Sequence, residues 1–506
     1  MRRLIPILAL IAVLAIPAVA QSALPLGSPK LKERSNTRVL APGVRLTNVV
    51  RGHRGRERWT VDVMVVRGRD AARRFAGRVR AKGFDARIRG FAGPLGPRRN
   101  GYRVFTIRSG AFATEKRAER RAKRLNKAGF KNSNVAHTSD NGTRSTTGPW
   151  RLRVLRIKPR QLQGGRLAAV LANDRILDRE KPTSMGRRLN AVAGVNAGYF
   201  VVDGAGEGDL AGTLAIDGQL LSEPLNGRTN FVLPDISGAG GRLAQLSYSG
   251  DVTIDGAKRL LDGINRVRGE IRSCGGTGGD RPTQKPFHDV TCTDESELVQ
   301  LTPTFGADTA TKPGGVEVVV RNGVVAQVVE GGSTPIPTDG YVLSGSGDAA
   351  DFLRQNAQPG DRPGVRADVL ERGLPFDLTE RSVVNGGPAL VRDGRFFVRG
   401  AAEGFVHPND PSFYFNFAIR RNPRTLVGIR PDGVILLVVA DGRQPRWSVG
   451  LSFAESADVL RSLGARQGMN LDGGGSSAMT RGGTLLGRPS DDTGQRPVGD
   501  GLFLLP

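Results

Sequence analysis

"MNLDGGGSSAM", residues 469–479, carries an apolar strand into an acid, three glycines and two serines. Each glycine inside a fold costs roughly 0.5–1 kcal/mol of backbone entropy relative to alanine. A run of three therefore asks what approaches this backbone closely enough to exclude side chains. Ser452 opens a helix with Ala454, Ala457, Val459, Leu460 and Leu463 at apolar positions, Gly464 ends it, and GMNLD reads as a buried strand. The triplet thus follows a strand end, where main-chain N–H groups can face a ligand. No lysine follows to make a phosphate-binding Walker loop, and Ala478 breaks a nucleophile elbow. On these residues alone a tight structural turn and a ligand cradle are equally supported.

Similar stretches lie upstream. GVNAGYF (194–200) sets Asn196 and Gly198 after an apolar strand, and VVNGGPALVRDG (383–394) carries the pair Gly386-Gly387. NPRTLVGIRPDGVILLVVADGR (422–443) delivers Arg424 into one strand and Asp441 and Arg443 at the end of the next. Taken singly, Asp441-Gly442 is a turn and Arg424 a surface charge. Together they supply carboxylates, amides and arginines at strand ends, an inventory that suits an anionic sugar. Between these stretches, short apolar runs broken by Asn-Gly and Asp-Gly pairs signal hairpins. Helices are expected only near 168–177, at 348–356 and from Ser452 to Leu463. The fold expected for residues 150–506 is α+β, rich in antiparallel or mixed sheet.

The front of the chain differs. Residues 1–137 hold 32 Lys/Arg against 7 Asp/Glu, whereas the remaining 369 hold 42 against 41. Residues 1–20 read as a signal peptide: Arg2-Arg3, an apolar run from Leu4 to Ile16, then Ala18-Val19-Ala20. That run is shorter than the ~20 residues a membrane-spanning helix needs, so no stable span is expected in the mature chain. Export argues against nucleic acid and leaves an anionic envelope as the partner of the basic front. Cys274 and Cys292 are then expected to form a disulfide. A zinc site would have only His288 between them, and four ligands are not in evidence. Residues 21–57 read as a basic linker. Residues 58–137 repeat a strand–helix–strand unit of about 35 residues, and 138–149, TSDNGTRSTTGP, read as a second linker.

Two resemblances follow. YRVFTIRSGAFATEKRAERRAKRLNKAGF (102–130) resembles the second half of a SPOR domain, a βαββαβ module that binds peptidoglycan glycan strands. The first half lacks the usual Gly-x-Phe after its opening strand. In the body, VNAGYF, NGGPALVRDG, PRTLVGI, DGR, NLDGGGSSAM and the closing RPVGDGLFLL (496–505) resemble, in order, the phosphodiester glycosidase family. That resemblance implies hydrolysis of a sugar-1-phosphodiester of the GlcNAc-1-phosphate type, with no cofactor.

The roles it suggests are these. Asp472 is nucleophile or base at the anomeric carbon, and Asp441 the second carboxylate. Arg424 and Arg443 hold the phosphate, whose second pKa of about 6 lets it leave with little protonation. Asn196 and Asn470 hold sugar hydroxyls or the N-acetyl group. The amides of Gly473, Gly474, Gly475, Ser476 and Ser477 cradle phosphate oxygens, with Gly198, Gly386 and Gly387 completing the hollow. Asp203, Glu207 and Asp209 cluster in a glycine-rich loop that solvation explains as well as a metal does, and no metal is assigned. Two other readings stand beside this one: a non-catalytic wall protein that binds sugar phosphate, and a serine hydrolase using Ser476 or Ser477 with His407.

Overall fold

A computed structural model describes residues 23–225, 227–269, 271, 281–282, 292–407 and 409–506. The signal segment and Cys274 lie outside the described residues, and with Cys274 so does the expected disulfide; Cys292 itself is buried.

An eight-stranded antiparallel sheet is the spine of the molecule. Across it run Glu33–Ala41, Val44–Arg51, Trp150–Ile157, Ile435–Ala440, Arg424–Ile429, Gln467–Asn470, Ala389–Arg392 and Arg395–Phe396. The central strands ILLVVA and RTLVGI are buried at every residue. The reason is that side chains alternate between two cores. Val427, Leu437 and Val439 join one core with Val195, Leu502 and Leu504 of a second sheet. Leu426, Leu436 and Val438 join the other with Val459 and Leu460 of the helix Phe453–Ser462. Ser452 caps that helix, accepting from the Glu455 N–H at 3.3 Å while the Glu455 carboxylate accepts from the Ser452 N–H at 3.0 Å. The second sheet orders Thr484–Leu485, Met479–Arg481, Ala193–Asn196, Asp500–Leu505 and Arg166–Leu171. Hairpins form at Asp217-Gly218, Asp255-Gly256, Asn322-Gly323 and Asp393-Gly394, with both turn residues at positive φ. The strand-rich α+β expectation holds.

Three expectations fail. The helix near 168–177 is instead the strand Arg166–Leu171 followed by a short 3-10 turn, because its alternate residues pair along Asp500–Leu505. Residues 21–57 are no linker: Glu33–Ala41 and Val44–Arg51 form a hairpin that extends the main sheet. Arg51 secures it, buried and donating to the carbonyls of Leu26 at 2.7 Å and Ser28 at 2.9 Å. Residues 138–149 do not hang free either. Arg421 donates to the carbonyls of Ser139, Asn141 and Arg144 at 2.6–3.0 Å, and pairs with Glu455.

Between these segments run, in chain order, the strand Trp59–Val66, helix Arg69–Ala81, strands Arg87–Gly93 and Tyr102–Phe112, helix Glu115–Lys127 and strand Asn134–His137. Their sheet places Tyr102–Phe112 and Trp59–Val66 at its centre. The helices bury Ala72, Ala76, Val79, Ala118, Ala122 and Leu125 against it. This module is bolted to the body rather than tethered. Phe91 packs on Phe415 with ring centres 5.0 Å apart, and Tyr102 on Tyr414 at 4.9 Å. Arg99 forks onto Asp458 at 2.9 and 2.6 Å.

Candidate active site

Sheet register gathers the site. Leu426 stands opposite Asn470 in an antiparallel ladder, so two residues further along Arg424 faces Asp472. In the adjoining sheet Gly501 pairs with Asn196, which brings Asp500 beside Ala197 at the same edge. A cavity of about 430 Å³ opens there. Asp472, Gly473, Gly474 and Gly475 line one side, and Arg424, Arg443, Arg496 and Asn422 another. The third wall is the segment from Asp410 to Phe417, with Tyr199 at the base.

The glycines now have an account. Gly474 lies at φ +61°, where a side chain is strained, and the Arg443 guanidinium sits about 3 Å from where its Cβ would be. A Cβ on Gly475 would lie 2.1 Å from Asp491 Oδ2 and 2.3 Å from Arg496 Nη2. Asp491 and Arg496 form an ion pair at 2.7 Å, so the bare backbone is what lets Arg496 reach the cavity.

Of the charges here Arg424 is held out of water, Asp472 and Arg496 are half-buried and Arg443 is exposed. Arg424 is buried and its donors go to main-chain carbonyls, Leu451 at 3.0 Å and Phe417. The ring of Phe453 lies 4.5 Å beneath it. Burial lowers its pKa to about 9. A desolvated cation with only neutral partners favours an incoming anion. Arg443, with φ +57°, donates to Asn422 Oδ1 at 3.1 Å and reaches the rim. Burial raises Asp472 to about 6, against the pull of the Ser476 hydroxyl, the Gly473 N–H at 2.7 Å, Arg496 and Arg443.

Several expected site residues do other work. Asp441 takes a bidentate grip from Arg153 at 2.6 and 3.0 Å and a third bond from the Trp447 indole at 2.7 Å. It is buried and does not line the cavity, so the structure does not bring it together with Asp472, Arg424 and Arg443, and its bonds there are those of a structural anchor. Asn196 is a strut: its oxygen accepts from Thr425 at 2.6 Å and the Ala478 N–H at 3.0 Å, and its amide donates to the Asp472 carbonyl at 2.8 Å. Asn470 likewise donates to Tyr199 Oη at 2.8 Å and the Gly387 carbonyl at 3.2 Å. Neither residue lines the cavity, and both hold the loop in place. Gly198 and Gly386 are tight packing points, their Cβ positions 2.3 Å from Asn385 and 2.5 Å from Met469. Gly387 donates to the Asn470 carbonyl at 2.8 Å and lies against Glu403. The Ser476 hydroxyl is buried near Asp472 without a hydrogen-bond partner, while Ser477 stands beyond the lining residues. His407 Nδ1 accepts the Asn409 and Asp410 N–H groups at 3.1 and 2.9 Å, which shapes the third wall and leaves Ser476 without that base. Glu207 pairs with Arg179, and among the described residues no three metal-ligating side chains converge.

Sequence reasoning missed two features. Asp500 is fully buried, accepts the Gly198 N–H at 2.7 Å with one oxygen and leaves the other without a partner. Burial and the neighbouring Asp472 charge raise it to about 7, over the pull of Gly198. GDGLFLL gave a signal, an acid preceding a wholly apolar strand, but Asp-Gly reads first as a turn. The aromatic third wall was also missed. Phe413 and Phe417 lie parallel with centres 5.6 Å apart, and Phe417 and Phe405 at 5.3 Å. Its sequence, PSFYFNF, resembles any amphipathic turn.

Residues 314–505 match the phosphodiester glycosidase family and residues 55–136 the SPOR domain. A crystal structure described as "Putative exported protein" from Burkholderia pseudomallei shares 32% identity with a TM-score of 0.86, over 97% of this chain and 99% of that one. The N-acetylglucosamine-1-phosphodiester alpha-N-acetylglucosaminidase of Mus musculus is 30% identical over 165 residues, 31% of this chain and 30% of that protein. Its Bos taurus counterpart is 29% identical over 125 residues, 24% of this chain and 23% of that protein. The chain therefore spans less than a third of the length of the curated relatives it matches. Residues 314–505 therefore carry a phosphodiester glycosidase domain, with a SPOR domain at residues 55–136 ahead of it.

Proposed function

We propose that this protein hydrolyses a sugar-1-phosphodiester of the GlcNAc-1-phosphate type in cell-envelope glycopolymers, with the SPOR domain holding it to peptidoglycan after export. The observation that carries the reading is one cavity holding three guanidinium groups, Arg424, Arg443 and Arg496, opposite a half-buried carboxylate, Asp472. Guanidinium groups bind phosphate through paired, charge-assisted hydrogen bonds. A phosphodiester seated against them puts its sugar carbon toward Asp472 and the sugar face on Phe413 and Phe417.

Asp472, at a pKa of about 6, is ionised at neutral pH and acts at the anomeric carbon as nucleophile or base. The departing phosphate is stabilised by the arginines and needs little help from a general acid. Asp500, at about 7, remains partly protonated beside it, so the pair does not hold two full charges at neutral pH. It acts through Asp472 and the Gly198 amide, as a positioning residue.

The test is direct. The purified chain, incubated with the methyl diester of GlcNAc-1-phosphate, is expected to release free GlcNAc and methyl phosphate, identified by mass. Saturable binding of that diester without any release would instead support the wall-binding reading.

A further inference from the structure

A second cleft, of about 650 Å³, lies beside the first. One bank is SPOR-domain strand, Asp62 to Arg67, with Lys131, Asn132 and Asn134; the other is body, including Pro411 and Arg420. Asp410, Ser412 and Asn416 line both this cleft and the phosphodiester cavity, so the two are neighbours across a single stretch of chain.

The SPOR bank has open main-chain hydrogen-bonding groups. Asn134–His137 pairs with the strand only from Trp59 to Asp62, so beyond Asp62 that edge is unpaired among the described residues. Around it stand Asn132 and Asn134, both exposed, and Met64, 37% exposed. Amides beside a small apolar surface suit the hydroxyls and the carbon face of sugar rings. Lys131 is exposed at the rim, and Arg67 lies 4.7 Å over the Tyr102 ring. Of the cleft acids, Asp62 is paired with Arg108 at 2.6 Å, while Asp410, accepting the Ser412 N–H at 2.8 Å, keeps its charge on the body bank. Lys131 and Arg67, on the opposite bank, are the cations that can meet a phosphate.

We infer that the substrate is a chain: a phosphate-bearing glycan whose scissile unit sits in the arginine cavity while its following units lie in the cleft between the SPOR strand edge and residues 410–416. This rests on the proposed activity. In this arrangement the SPOR domain is a wall of the substrate site as well as an anchor. The rigid join between the two parts, Arg99 on Asp458 and Tyr102 on Tyr414, keeps the cleft and cavity in register.

The test compares two probes, the methyl diester of GlcNAc-1-phosphate and a polymer of phosphodiester-linked GlcNAc units. It uses the wild-type chain, the exposed-site variant Lys131→Glu, and the double variant Arg67→Gln with Lys131→Glu. Wild type should cleave the polymer with a kcat/KM per bond at least tenfold above that of the methyl diester. Both variants should keep the methyl-diester rate and lose most of the polymer advantage through a higher KM. No polymer advantage in wild type, or an advantage intact in both variants, overturns the inference. So does polymer cleavage that a peptide cross-link competes away while free glycan does not. Inactivity on both probes counts against the proposed function instead. The cleft is then judged on binding of the fluorescently labelled polymer: a tenfold loss in the variants upholds it, and equal binding overturns it.

Discussion

Two aspartates leave the strands on either side of Arg424–Ile429 in the main sheet, each followed by glycine, and their surroundings differ. Asp441 ends Ile435–Ala440 and falls into the grip of Arg153 and Trp447. Asp472 follows Gln467–Asn470 and accepts the Gly473 N–H, with the arginines across a cavity. Both are acids in nearly the same sequence setting, DGR and DGGG. What separates them is the charge that reaches each one. A bidentate guanidinium turns a carboxylate into a strut, whereas burial among neutral donors keeps it reactive, near pH 6.

The comparison can be broken from either side. Asp441→Asn strands the buried Arg153 without its anion and should cost about 3–5 kcal/mol of stability, read as a lower urea midpoint. The folded fraction should still turn over the methyl diester. Asp472→Asn should leave the melting temperature near that of wild type and cost about 3 kcal/mol in kcat, some hundredfold or more. Gly475→Ala pushes a methyl into the Asp491–Arg496 pair. It should raise KM for the diester about tenfold, roughly 1.4 kcal/mol, with kcat changed less.

The smallest effect is a change of slope. Asp500 is raised from about 3.8 to about 7 by burial and the Asp472 charge. A folded-state pKa above the unfolded one means the native protein binds the extra proton. Its contribution to stability is complete below pH 4 and is lost as pH rises through 7. Asp500→Asn removes that term, so its melting temperature should fall less than wild type's between pH 4 and pH 7.

Much of this was legible in the sequence, and the reasons are physical. The helix after Ser452 carries both its capping partners and its apolar spacing within a dozen residues, and it forms as read. Arg424, Arg443 and Asp472 reach one cavity because strand register is fixed by local apolar pattern. Which acid faces the ligand was not legible. Arg153 lies 288 residues from Asp441, and nothing around Asp441 announces that partner. Asp500 was hidden for the same reason, since its burial depends on a sheet assembled from five separate segments. The hairpin at 33–51 failed as a reading because its strands are polar on one side, and only pairing with Trp150–Ile157 orders them.

The central claim is that Asp472, and not Asp441, is the acid at the sugar. It is tested most directly by kcat on the methyl diester of GlcNAc-1-phosphate for Asp472→Asn and Asp441→Asn, both assayed at a temperature where each is folded by circular dichroism. We predict a hundredfold or greater loss for Asp472→Asn and a loss under tenfold for Asp441→Asn. The reverse order, or full activity in Asp472→Asn, would contradict the account.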